Sequence, residues 1–159
     1  MSTLSKNLWP DDIAAVSTVT PLGILKRQAA ALGEQTKNIV EARVRTDPIV
    51  GVVGRYPPSR VAAPGGGSLS HIFQLVAPAL ANYTYALFTA RHPAVDLYPC
   101  TIDFDGKSYD AGSSEELERI LSTVFSSEKT RRIVGSLLSQ SQDAGPPPKE
   151  RTDDDDDLR

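Results

Sequence analysis

Cysteine, tryptophan and methionine each occur once in this 159-residue chain, and histidine occurs twice. A lone thiol, Cys100, excludes an internal disulfide and any multi-cysteine metal cluster, and it suits a reducing compartment. Two imidazoles, His71 and His92, leave little material for acid–base or metal chemistry. No stretch nears the roughly 18 consecutive apolar residues of a membrane-spanning helix. The opening MSTLSKNLWPDD lacks the apolar run of a secretory signal. The expectation is a cytoplasmic protein with no membrane association. The hydrophobic fraction is 40%, enough for one core of modest size.

Breakers and tail charge are what the chain has in excess. Twelve prolines and eleven glycines are more than a compact domain uses. Seven of the 20 acids but three of the 17 bases fall in Gln142–Arg159, so the rest of the chain is almost neutral. A strongly basic nucleic-acid footprint is therefore absent globally. Three regions follow: a polar segment over 1–18 with Trp9 as its one large anchor, expected to dock on the body; a single domain over 19–141; and a Pro-rich, Asp-rich tail over 142–159. That tail has too little apolar surface to offset its ordering entropy.

Within the domain, Thr20 as N-cap and Pro21 at the first helical position start a helix. Its stripe is Leu22, Leu25, Ala29 and Leu32, and Gly33 predicts its end. Residues 37–46 alternate with period two, placing Val40, Ala42 and Val44 inward and Glu41, Arg43 and Arg45 outward. Ile49–Val53 reads as a short second strand. Residues 54–68 are a breaker-rich loop of unusual length. Leu69–Ala77 and Tyr83–Arg91 read as central strands. Val95–Phe104 contains Pro99, which predicts an edge strand or a bulge. Asp105–Gly106 is a two-residue hairpin signal returning Lys107–Asp110. Ser113 with Glu116 forms a capping box before the stripe Leu117, Ile120, Leu121, Val124 and Phe125. Ser127 caps a second helix carrying Ile133, Val134, Leu137 and Leu138.

The fold class these elements predict is α+β: a mostly antiparallel sheet of four to six strands, with the N-terminal helix and two C-terminal helices packed on it. Strands followed by helices argue against a doubly wound nucleotide-binding sheet.

The chemistry-bearing constellations are sparse. Asp103 and Asp105 before Gly106 evoke a calcium loop, but the twelfth position, which should be an acid, is Ser114. Gly65–Ser68 leads into a strand rather than a helix N-terminus, the wrong order for a phosphate cradle. Nothing in the sequence pairs His71, His92 and Cys100. No catalytic residue, cofactor or metal ligand is assigned. Tyr83, Tyr85 and Tyr98 are candidate partner contacts, tyrosine joining an apolar body to a polar tip. Lys129, Arg131 and Arg132 are added because they open the last helix, the end that its dipole makes unfavourable for cations. They suit an acidic partner or the chain's own aspartates.

The reading is a non-catalytic protein–protein interaction module, an accessory, adaptor or assembly subunit, with self-association through a sheet edge as one mode. The alternative is a nucleic-acid-binding accessory protein using Arg43, Arg45, Arg55 and Arg60. A third class is a small-ligand sensor or enzyme with a pocket under the Gly65–Ser68 loop, engaging His71 or Asp103.

Overall fold

The computed structural model describes residues 6–15, 17–49 and 66–145. Five strands form one antiparallel sheet in chain order: β1 (Glu41–Ile49), β2 (Ser68–Ala77), β3 (Tyr83–Pro93), β4 (Cys100–Phe104) and β5 (Lys107–Ala111). Helix α1 (Pro21–Gln35) precedes the sheet, and α2 (Ser114–Ser126) and α3 (Glu128–Ala144) follow it. The architecture is the single α+β domain that the sequence predicts.

Local chemistry places the helix ends. Thr20 Oγ1 accepts from the Gly23 amide at 3.0 Å, and Pro21 needs no donor there. Ser113 Oγ accepts from the Glu116 amide at 3.2 Å, while Glu116 Oε2 reaches back to the Gly112 amide at 2.8 Å. Ser127 alone separates α2 from α3 and accepts from the Thr130 amide. The Asp105–Gly106 turn carries φ of 52° and 74°. Two successive left-handed residues are what a tight two-residue hairpin requires.

Tertiary contacts overrode several expectations. α1 runs through Gly33 to Gln35, because Gly33 is buried against Asn38 and leaves little room for a side chain there. The left-handed Lys37 and Asn38 then turn the chain. Leu25 of the expected stripe is buried, but its buried companion is Ile24, and Leu22 is only partly covered. Pro99 does not lie on an edge strand: it precedes β4, which is paired on both sides, and the Tyr98–Pro99 bond is cis. Among the described residues the sheet edges are β1 and β5. The simple alternation expected of Tyr83–Phe88 breaks at a bulge, so that Phe73 faces Phe88 while Gln74 faces Ala86. Of the Ile49–Val53 run, only Ile49 lies within the described residues, at the end of β1. Of the 54–68 loop, only Gly66–Ser68 do, and Ser68 already belongs to β2. Trp9 does not dock; it is 71% exposed.

All three helices contribute to one apolar cluster. Ile24 and Leu25 of α1, Leu117, Leu121 and Val124 of α2, and Leu137 of α3 join Phe73, Leu75, Phe88, Ala90 and Ile102 of the sheet. Phe73 and Phe88 stack at 4.9 Å, and Phe125 of α2 leans on both rings at 5.4 and 5.8 Å. Truncating Leu117, fully buried here, should lower unfolding free energy by about 3 kcal/mol, whereas Ser113→Ala should cost about 1 kcal/mol through the lost cap. Urea denaturation of the two variants checks the ranking; equal losses would mean that α2 is held by its cap rather than its stripe.

Candidate functional site

The sheet has two unlike faces. Antiparallel register puts Glu41, Arg43, Arg45 and Asp47 of β1 in line with Val76, Gln74, Ile72 and Ser70 of β2. Across β3 and β4 the same face continues through Thr89, Arg91, Thr101 and Asp103. Val76 is buried on this face, outside the main cluster. Arg43, Arg45, Asp47 and Arg91 are exposed.

The arginines on this face are committed to neighbouring acids. Arg43 meets Glu41 at 3.6 Å, Arg45 meets Asp47 at 3.0 Å, and Arg91 grips Asp103 through both Nε and Nη2 at 2.9 Å. Partial burial acts to raise the Asp103 carboxyl. Hydrogen bonds from Ser108 and Arg91 outweigh that and hold it below the usual carboxylate range. Each Arg43 and Arg45 charge is thus locally compensated, which weakens the electrostatic case for a phosphate backbone. Arg55 and Arg60, the other members of that set, lie outside the described residues.

The partner-contact candidates divide. Tyr83 is 51% exposed at the start of β3, and Arg131 and Arg132 are exposed on α3. Tyr85 is half-buried against the core. The Tyr98 hydroxyl is enclosed with no hydrogen bond of ordinary geometry among the described residues, and burial raises its phenol above the ordinary value against a weaker opposing pull from Ser114. Lys129 is occupied within the fold: Nζ lies 2.8 Å from Asp105 Oδ1 and 5.7 Å from the Phe104 ring centre. This pairing explains a cation at a helix N-terminus and pulls the Asp105 carboxyl down.

Sequence spacing gave no reason to join the histidines, yet they meet. His71 pairs with Ala90 and Leu69 with His92, so the two imidazoles are diagonal neighbours on the helix-side face. Their Nε2 atoms are 2.7 Å apart, Thr46 Oγ1 is 2.8 Å from His71 Nδ1, and His92 Nδ1 is 2.8 Å from the Pro93 carbonyl oxygen. The carbonyl only accepts, so His92 Nδ1 carries hydrogen and its neutral Nε2 accepts. His71 Nε2 then donates, and His71 Nδ1 accepts from the Thr46 hydroxyl. Every polar atom of both rings is satisfied with both imidazoles neutral. A hydroxyl beside an oriented imidazole also describes an activated nucleophile. Here, however, burial, then the adjacent His92, lowers the His71 pKa to about 4, making it a poor base at neutral pH.

No other chemistry gathers nearby. Cys100 is buried and its thiol is pushed up to about 11 by burial, which suppresses the reactive thiolate. No group of three metal-ligating side chains occurs among the described residues. Two open recesses do. One, of about 370 Å³, runs between α1 and β1 and is lined by Lys26, Ala29, Gly33, Glu41 and Arg43. The other, of about 420 Å³, is walled by Ile39, Pro78, Ala79 and Ser141. Neither is lined by Gly66–Ser68, His71 or Asp103. No helix among the described residues is long and apolar enough to cross a membrane. No family model, curated protein or solved structure matches the chain.

The histidine relay predicts a pH signature. With the folded His71 pKa near 4 and its unfolded value near 6.5, the unfolded chain takes up the proton first as pH falls. Stability is then full above about pH 6.5 and drains away toward pH 4, by up to about 3 kcal/mol. Urea midpoints across this range should show that slope in the native chain and a flatter one in His71→Leu. An unchanged slope in the variant would assign the acid sensitivity to other groups.

Proposed function

We propose that the protein is a non-catalytic interaction module, an accessory or adaptor subunit that binds a protein partner at the exposed β1 edge and the adjoining polar sheet face. The observation that carries this reading is β1 itself. It is a nine-residue strand paired on one side only among the described residues, with Arg43 and Thr46–Ile49 open to solvent. An unpaired strand edge offers main-chain donors and acceptors that a partner strand can complete.

The charge order along β1 favours a different chain over a second copy at this edge. Antiparallel self-pairing about Val44 would set Arg43 against Arg45 and Glu41 against Asp47, like charges directly opposed. A strand with two acids at its middle outward positions and bases flanking them fits instead. Pro48 near the strand end lacks an N–H and limits indiscriminate pairing. Tyr83, Arg131 and Arg132 are further exposed contacts available to such a partner, in keeping with a cytoplasmic role.

The test is affinity purification of the full chain from its native cells, followed by hydrogen exchange on the recovered complex. Protection should rise along β1 relative to the free chain. Arg43→Glu with Arg45→Glu should lower partner recovery at least tenfold while leaving the melting temperature within about 2 °C, as expected for exposed pairs. Recovery and protection indifferent to that double substitution would remove β1 as the binding surface. Salt-sensitive oligonucleotide binding lost in the same variant would favour the nucleic-acid alternative.

A further inference from the structure

Two recesses meet at the corner where α3 ends. Gly145 closes that helix and lines the 420 Å³ recess together with Lys37, Asn38 and Ile39. Asn38 also lines the neighbouring 370 Å³ groove, with Lys26 and Gly33 of α1 and Ala42 and Arg43 of β1. The left-handed Lys37–Asn38 turn therefore stands between the exit of α3 and the α1–β1 groove.

That groove has a floor of small residues and a cationic surround. Lys26, Lys37, Arg43 and Arg45 are all exposed, on the groove or beside it along β1. Glu41 and Asp47 answer Arg43 and Arg45. No acid among the described residues pairs with Lys26 or Lys37. Four bases thus stand against two acids, and the corner keeps an excess of positive charge.

The sequence after Gly145 supplies the opposite charge on a tether of fitting length. Residues 146–159 hold six acids, five of them Asp153–Asp157, against three bases, a net of −3. Asp153 is eight residues beyond Gly145, a reach of up to about 28 Å, while Arg43, five residues from Asn38, lies within about 18 Å of the corner. The other basic group, Lys129, Arg131 and Arg132, sits at the far end of α3, which at 17 residues is about 25 Å long. Only near-full extension brings the first aspartate there, whereas many conformations bring the run over the groove. Lys129 is moreover already held by Asp105.

We infer that Asp153–Asp157 of the chain's own tail cover the α1–β1 groove, their carboxylates meeting Lys26 and Lys37 and sharing Arg43 and Arg45 with Glu41 and Asp47. Aspartate is a poor strand former, so the contact is ionic and adds no strand. Each exposed pair is weak, but the tether holds the run at an effective concentration in the millimolar range. The covered surface includes the Glu41–Val44 end of the β1 edge, so the tail restrains an acidic strand that seeks it. That consequence rests on the β1 reading; the docking does not.

A nitroxide on Thr152→Cys in the full chain reports where the run lies. Cys100 is fully buried, which directs the label to position 152. Broadening of backbone amide signals should concentrate on Asn38, Ala42 and Val44, at least threefold above that at Arg131 and Arg132. It should fade in about 1 M salt, where the Debye length is about 3 Å. Lys26→Glu with Lys37→Glu, both on exposed residues, should cut it at least threefold, as should replacing Asp153–Asp157 with asparagine. Broadening spread evenly over the surface, centred on Arg131 and Arg132, or indifferent to both charge changes would overturn the inference. Recovery of partner from native cells separates the two readings, since the asparagine chain should recover at least threefold more than the native one. Groove broadening with unchanged recovery upholds the docking and counts against β1 as the partner's surface. A β1-dependent partner without groove broadening upholds β1 and removes the tail.

Discussion

Three helices share a single apolar cluster with one face of a five-stranded sheet, and that one-sided burial governs everything else. Apolar side chains on alternate strand positions leave water on the helix side, and the intervening positions must be polar or find other cover. The stacked Phe73–Phe88 pair beneath Phe125 is the centre of this arrangement. It ties the two longest strands to α2 across the bulge. Because the helices occupy one side, the polar face, the β1 edge and the turns at the helix ends are the surfaces left open among the described residues.

The polar residues inside this frame fix register. A one-residue slip of β2 against β3 would turn His71 away from His92 and bury an imidazole without a partner. A slip of β1 would likewise remove Thr46 from His71. The chain from Thr46 through both rings to the Pro93 carbonyl therefore binds three strands into one alignment. Burial and the neighbouring ring disfavour charge on His71, so acid acts on the register itself. One added proton has a place, at His71 Nδ1 facing a hydroxyl that can turn. A second would set two donors against each other across 2.7 Å.

The features legible in the sequence are those whose physics is local. Ser113 and Ser127 cap helices, Pro21 opens one, and Asp105–Gly106 turns a hairpin because each acts within four residues of itself. Val40, Ala42 and Val44 were readable from alternation alone. Gly33, Pro99 and the two histidines were not, for a common reason. Gly33 continues its helix because Asn38 leaves little space for anything larger; Pro99 falls outside the strand because the chain turns over residues 94–96 and β4 begins only at Cys100. His71 meets His92 only through a register set by the whole hairpin, and the bulge after Phe73 shifts the pairing on its far side. The Ser141 recess is the same case: its walls come from three segments separated by as much as a hundred residues, and no spacing in the sequence joins them.

Lys129 shows how charge placement separates structural from available groups. A cation one residue into α3 opposes the helix dipole, and by sequence alone it looks spare. The β4–β5 turn brings Asp105 to it at 2.8 Å and Phe104 beneath it, so a carboxylate stands near the helix start and the lysine bridges hairpin to helix. Arg131 and Arg132 remain exposed on the same turn. The arginines of the sheet face follow the first pattern: each has its acid within 3.6 Å. On the reading proposed above, a partner strand competes for ion pairs already made. Such pairs contribute less than about 1 kcal/mol on an exposed surface, so they are cheap to exchange. They favour a binding strand that presents carboxylates in matching register over a polyanion that offers charge without position, which is why the paired arginines of β1 fit selection among protein partners better than attraction to nucleic acid.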